Sequence, residues 1–329
     1  MSSSHTTTIT YVDDIGEHIA HTEIMSDCTM IGYIFTPYTN IKPLDLFNIS
    51  GFYKNYTNIK QLDLSCVTQL TSIYDSFLKG CTSLETLILP TNIKVIHSLF
   101  LTGCANIKDL DLSHLTKLTR IPSAFLTECA SLEQLILPSN IESIYGSFLQ
   151  GCTNIKELNL SHLTKLTHIY NSFLQDCTSL ETLILPPSVE YIGDLFLNGC
   201  TNIKELNLSN LTNLTHIQAH FLKNCTSLNT LILPPNIVTI SNTFLERCVH
   251  IKELNLSYLT KRINYDTLFS NNTSVVFIQV NESTKFALKY KSLSCLYSNK
   301  QYTGKEQLLY HFTTHVVLNV RLNINLGIL

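Results

Sequence analysis

The string F-L-x-x-C returns eight times, with its Cys at 81, 104, 129, 152, 177, 200, 225 and 248. The intervals alternate between 23 and 25 residues, so the repeating unit is a 48-residue pair. No other feature limits the fold as strongly. A fixed period of roughly 20–50 residues marks stacked units, each too small to bury its apolar face alone. The copies are close: residues 152–176 and 200–224 agree at 18 of 25 positions.

The two members of the pair differ in a defined way. The short unit, at 81–103, reads C-x-S-L-x-x-L-I-L-P-x-x-[IV]-x-x-I-x-x-x-F-L-x-x. The long unit, at 104–128, reads C-x-N-I-K-x-L-x-L-S-x-L-T-x-L-T-x-I-x-x-x-F-L-x-x. The two extra residues fall between L-x-L and Phe. That interval is a tolerant connection, and L-x-L is the fixed element. Helical i, i+3, i+4, i+7 spacing is absent, as is long alternation. L-x-x-L-x-L predicts a strand of three to five residues, ended by Pro in short units and by Ser in long ones. Pro cannot donate to a strand ladder, which suits it to a strand end. In the first short unit Cys81, Leu84, Leu87, Leu89, Ile93, Ile96 and Phe100 are expected to fill the interior. About eleven units, stacked at about 4.8 Å, give a rod or arc roughly 50 Å long.

Both ends decay. Residues 1–27 are expected to cap the array, and 28–55 form a degenerate first repeat with an insertion, Pro37 matching Pro90 in register. Alternating units run over 56–271, starting with Tyr56 in the Cys slot. Residues 272–329 hold a last degenerate unit and a C-terminal cap. Within it Leu318, Val320, Leu322, Ile324 and Leu326 alternate with polar residues, the pattern of a half-buried strand. A monomer is expected, with a dimer through residues 316–329 as the alternative if that strand is an open edge.

Composition narrows the function. Of 329 residues only 14% are charged, and the net charge is −3, so no basic nucleic-acid surface is expected. No apolar run approaches the roughly 18 residues of a membrane span. The first residues show no secretory h-region, and the eleven Cys are odd in number and contain no C-x-x-C. Reduced thiols in a cytoplasmic compartment are the expectation. Eleven N-x-[ST] sequons occur, but Asn159, Asn207 and Asn255 fall on predicted strands, where glycans would clash.

The outward residues alternate with the units. The position after the first Leu or Ile runs Lys60, Glu85, Lys108, Glu133, Lys156, Glu181, Lys204, Asn229, Lys252, which puts opposite charges on neighbouring strands. The outward residue inside L-x-L runs Asp63, Ile88, Asp111, Ile136, Asn159, Ile184, Asn207, Ile232, Asn255. From Ile88 to Asn255 this row is the candidate partner-binding face. The row hardly varies beyond its two-step alternation, so a ligand there would be extended or repetitive.

No catalytic, cofactor or metal residues are expected: there is no Gly-rich phosphate loop, no G-x-S-x-G and no clustered ligand set. The Cys ladder reads as inert core thiols. Cys66 replaces the His of L-S-H-L-T and lies outside that ladder, and its reactivity, like that of Cys295, stays open. His114 and His162 share one slot, and His168 and His216 another. All four read as solvated loop histidines, because slots two coils apart are too distant to share a zinc. His311 and His315 lack the acidic neighbour of H-E-x-x-H.

The consensus L-x-x-L-x-L-P-x-x-[IV]-x-x-I-x-x-x-F-x-x-C resembles the BspA-type (treponemal-type) leucine-rich repeat, over about residues 28–280. The long units depart from it, and His114, His162, Asn210 and Tyr258 stand where an Asn ladder is usual. The resemblance implies a leucine-rich-repeat solenoid. It would be a right-handed superhelix with short parallel strands on one face and irregular or short helical or strand segments on the other. It implies a protein-interaction role, often on cell surfaces, with no catalytic residues. The reading is a non-enzymatic interaction scaffold with a protein partner, with a surface-displayed adhesin or antigen as the alternative.

Overall fold

The computed structural model describes residues 5–13, 16–24, 55, 57, 59–65, 68, 70–241, 243–251, 253–256, 277–280 and 294–297. Expectations that rest on Cys28, Tyr56, Cys66, Lys252, Tyr258, His311, His315 or the strand at 316–329 lie outside these residues. So does most of 28–55 and of 272–329.

The chain is a parallel β-solenoid. Each coil carries a three-residue strand at L-x-L, such as Thr86–Ile88, Asp109–Asp111 and Gln134–Ile136. A two-residue strand precedes the Phe turn on the other face, such as Val95–Ile96, Arg120–Ile121 and Ser143–Ile144. No helix occurs among the described residues. An antiparallel hairpin, His5–Asp13 with Gly16–Ile24, lies beside the first coil strand, Gln61–Asp63.

One apolar core runs the length of the stack. All seven residues expected from the first short unit are buried, Leu87 least at 8% exposure. Leu101 of the F-L pair is also fully buried. The Phe rings form a column, with centroids 5.2 Å apart at Phe100–Phe125 and 6.3 Å apart at Phe125–Phe148. One coil therefore stacks on the next at about the strand spacing.

The two-unit period is built into the hydrogen bonding. On the L-x-L face the strand of each long unit pairs with that of the following short unit: Asp63 opposes Ile88, Asp111 opposes Ile136, and Asn159 opposes Ile184. From short unit to next long unit no strand pairing forms on this face among the described residues. The join there is made by side chains. His114 Nε2 bonds the Leu89 carbonyl at 3.0 Å, His162 Nε2 bonds Leu137 at 3.0 Å, and Asn210 Nδ2 donates to Leu185 at 3.0 Å. These carbonyls belong to the residue before Pro90, Pro138 and Pro186. The expectation of merely solvated histidines at 114 and 162 is therefore corrected. They hold the place of the missing Asn ladder, because either ring nitrogen of an imidazole can carry a donor proton.

The charge row is also corrected in part. Register is as expected, with Glu133 N donating to Lys108 O and Glu181 N to Lys156 O. The side chains of Lys108 and Glu133, and of Lys156 and Glu181, form no ion pair among the described residues, where Lys223–Glu246 at 3.0 Å is the short one. Exposed Lys and Glu side chains gain too little from pairing to hold one geometry. Backbone bonds and polar side chains carry the register instead. Asn140 Nδ2, for example, donates to Thr116 O at 2.7 Å, and its Oδ1 accepts from Lys165 Nζ at 3.2 Å.

Candidate functional site

On the L-x-L face the alternating row divides by chemistry. Asp111 Oδ1 accepts the Ser113 N–H at 2.8 Å, Asn159 Oδ1 accepts that of Ser161 at 3.0 Å, and Asn207 Oδ1 that of Ser209 at 3.0 Å. These are local Asx turns that bend the chain out of the strand. The hydroxyl and N–H of Ser113 together hold the Asp111 carboxyl below its ordinary range. The Asp and Asn positions are thus occupied by their own turns. The side chain of Asn255 is not described.

The Ile positions carry no such duty. Ile88, Ile136, Ile184 and Ile232 are 43%, 48%, 43% and 38% exposed, a high value for a large aliphatic side chain. They stand on alternate coils, about 10 Å apart by strand spacing. A shallow groove of about 830 Å³ opens between Gln134–Ile136 and Glu157–Asn159. This is a short-to-long step, where the strands do not pair. Ile136, Lys156, Glu157, Asn159 and His162 line it, so it combines apolar, charged and amide groups.

The Cys ladder is buried and has a structural task that the sequence reading did not foresee. Cys104 Sγ donates to Leu78 O at 3.0 Å, Cys129 to Leu101 at 3.1 Å, and Cys152 to Leu126 at 3.0 Å, and the series continues through Cys248. Each acceptor is the Leu of the F-L pair one coil earlier, held at positive φ: 56° at Leu78, 55° at Leu101 and 57° at Leu126. Burial pushes up the thiols of Cys104, Cys129, Cys152, Cys177, Cys200 and Cys225, Cys152 to about 12, so their thiolate chemistry at neutral pH is suppressed. Among the described residues no three or more His, Cys, Asp or Glu side chains cluster as a metal site. No described helix is long and apolar enough to cross a membrane.

The second face holds a feature that the sequence reading missed. His168, Tyr170, Tyr145 and Tyr191 form a half-exposed ring cluster, with Tyr145 and Tyr170 stacked at 4.8 Å and 5°. Its sequence signal is aromatic residues in two slots that flank the Ile, Tyr145 and Tyr170 three residues before Phe and His168 and Tyr191 five before it.

Comparison with known proteins returns solved structures and a family. A leucine rich cell surface protein of Faecalibacterium prausnitzii aligns at 15% identity and TM-score 0.44, covering 75% of each chain. A leucine-rich repeat protein of Bacteroides ovatus aligns at 15% identity and TM-score 0.40, covering 76% of this chain and 87% of that one. The pneumococcal vaccine antigen PcpA aligns at 19% identity and TM-score 0.47, covering 73% and 68%. No curated protein matches the sequence. The family described as BspA type leucine rich repeat region, in six copies, matches residues 47–181 and 159–276. With that match spanning more than half of its 329 residues, the chain belongs to the BspA-type leucine-rich repeat family.

Proposed function

We propose that the protein is a non-enzymatic interaction scaffold that engages a protein partner through the L-x-L face. The observation that supports this reading is the row of exposed Ile88, Ile136, Ile184 and Ile232. The Asp and Asn residues between them are held in turns, which leaves the Ile side chains as the free contacts. Exposed apolar rows rimmed by polar residues mark interaction surfaces. The row repeats every two coils, so the matching partner surface is extended and offers apolar contacts at about 10 Å intervals.

The test is a double substitution, Ile136→Asp with Ile184→Asp, at the centre of the row. These side chains are exposed, so the far-ultraviolet spectrum and melting temperature should hold. A partner cross-linked to the wild-type chain should be lost from the variant. Its retention would discard this face. Display on a cell surface is the second reading, favoured by membership of a family whose repeats often occur there. Accessibility of intact cells to antibody supports it, and exclusive recovery in the cytosol excludes it.

A further inference from the structure

The outward positions of the second face flank the buried Ile of each two-residue strand. Over three coils they become aromatic, at Tyr145, His168, Tyr170 and Tyr191. Tyr170 and Tyr191 lie 5.8 Å apart, tilted by 55°, and His168 and Tyr191 lie 5.8 Å apart, tilted by 30°. The strands beneath are Arg120–Ile121, Ser143–Ile144, His168–Ile169 and Tyr191–Ile192, an unbroken parallel sheet of four. Elsewhere on this face, among the described residues, strands pair only in twos. The cluster therefore sits on the longest hydrogen-bonded platform of its face.

A carboxylate precedes the second and the fourth of these strands. Glu142 N donates to Thr119 O, Thr167 N to Glu142 O, and Glu190 N to Thr167 O. Glu142 and Glu190 thus stand in one column two coils apart, about 10 Å by strand spacing. Glu142 is exposed and has no ion-pair partner among the described residues. Glu190 is half-exposed at 49%, and His168 Nδ1 lies 3.9 Å from it. Arg120 borders the patch, opposite Ser143 in register.

We infer that this patch binds the arginine side chains of a basic peptide segment. Carboxylates only accept hydrogen bonds, and a guanidinium only donates them. It is also flat and stacks on aromatic rings, which an ammonium does less well. The spacing sets the ligand further. In a polyproline-type helix, residues three apart lie on one face at about 9 Å, close to the separation of Glu142 and Glu190. Arginine at every third position then meets both carboxylates. A neutral sugar gains nothing from the negative charge of Glu142 and Glu190, whereas a guanidinium makes charge-assisted bonds to both. A smaller ring pair, Tyr74 with His97 at 5.3 Å, lies in the same column with Lys94 beside it. Lys94 stands there in the column position that Glu142 and Glu190 hold in the patch, which makes the pair an internal control.

The experiment titrates the full chain into a labelled, end-capped (Arg-Pro-Pro)₄ peptide and reads anisotropy at about 150 mM salt, where long-range charge effects are screened. Saturable binding is expected, weakened about tenfold by Tyr170→Leu with Tyr191→Leu. Glu142→Gln with Glu190→Gln, which leaves the ring stack intact, should weaken it about fivefold or more. Tyr74→Leu should change nothing, and the matching (Lys-Pro-Pro)₄ peptide should bind more weakly. Ile136→Asp with Ile184→Asp should leave binding intact, which separates this site from the L-x-L face. The inference is overturned by no saturable binding, by equal affinity for the lysine peptide, or by affinity unchanged in the glutamine pair. Ring-dependent binding of a cello-oligosaccharide in place of the peptide overturns it as well.

Discussion

A leucine at positive φ costs about 1–3 kcal/mol, and this chain places one in every F-L turn from Leu78 to Leu245, at φ 54–58°. The cost is met locally. Each such Leu is fully buried, and from Leu78 to Leu222 its carbonyl accepts twice. Leu126 O takes the Cys129 N–H at 3.4 Å and the Cys152 Sγ–H at 3.0 Å, which uses both lone pairs. The Cys is therefore chosen for a buried donor of the right length as well as for its volume. Cys152→Ala should destabilise the protein by about 1–3 kcal/mol, because it removes the donor and leaves a small void. Cys152→Ser keeps a donor in place and should recover part of that loss, despite its shorter reach. Urea midpoints of the two variants decide it. If serine is no better than alanine, the bond carries no weight and only the sulfur's volume matters.

At the scale of elements, the two unit lengths produce two kinds of step. Long-to-short steps are joined by strand pairing on both faces, as at Glu157–Asn159 with Thr182–Ile184 and His168–Ile169 with Tyr191–Ile192. On the L-x-L face short-to-long steps lean on the His or Asn that reaches the carbonyl before Pro, while on the second face Ser143–Ile144 does pair with His168–Ile169 across such a step. His162→Asn should be nearly neutral, since Asn210 makes the same bond one pair later. His162→Leu should cost about 1 kcal/mol, the ordinary worth of one hydrogen bond. Guanidinium midpoints separate the two, and equal values for Asn and Leu would refute the staple. The strands, the core and the coil order were legible because apolar positions recur at fixed intervals. The staple was not, because it depends on which loop residue faces which carbonyl 25 residues away. Of the candidate face, the Ile row was legible from the alternation. That Asp111 and Asn159 are spent on Ser113 and Ser161 follows only from turn geometry. The ring cluster was hidden for a related reason. Tyr145 and Tyr170 stand three residues before their Phe, but His168 and Tyr191 stand five before theirs, and only the stacked coils bring the two slots together.

For the molecule as a whole, stability is close to a sum of coil-to-coil contacts, so a term repeated in each coil accumulates. The thiols supply such a term. Burial raises Cys104, Cys129, Cys152, Cys177, Cys200 and Cys225 above the ordinary value of 9.0. In the unfolded chain these groups ionise near 9.0, while in the fold Cys152 stays protonated to about 12. Above pH 9 the unfolded state therefore binds fewer protons than the native one, and stability falls as pH rises. Below pH 9 this contribution is complete and flat. Each thiol lowers stability by up to about 1.4 kcal/mol per pH unit in the window between its unfolded and folded values. Six acting together approach the total stability of an ordinary domain, about 5–15 kcal/mol, within one or two pH units. The array should thus unfold cooperatively on the alkaline side of pH 9 under reducing conditions, seen as loss of the β-sheet spectrum. The slope is assigned to the thiols by substitution. Cys152→Ser with Cys177→Ser lowers stability at pH 7 but should also flatten its fall above pH 9 by two thiols' share, about 3 kcal/mol per pH unit at most. An unchanged slope in that variant would mean that the ladder's protonation is not what limits the fold at high pH.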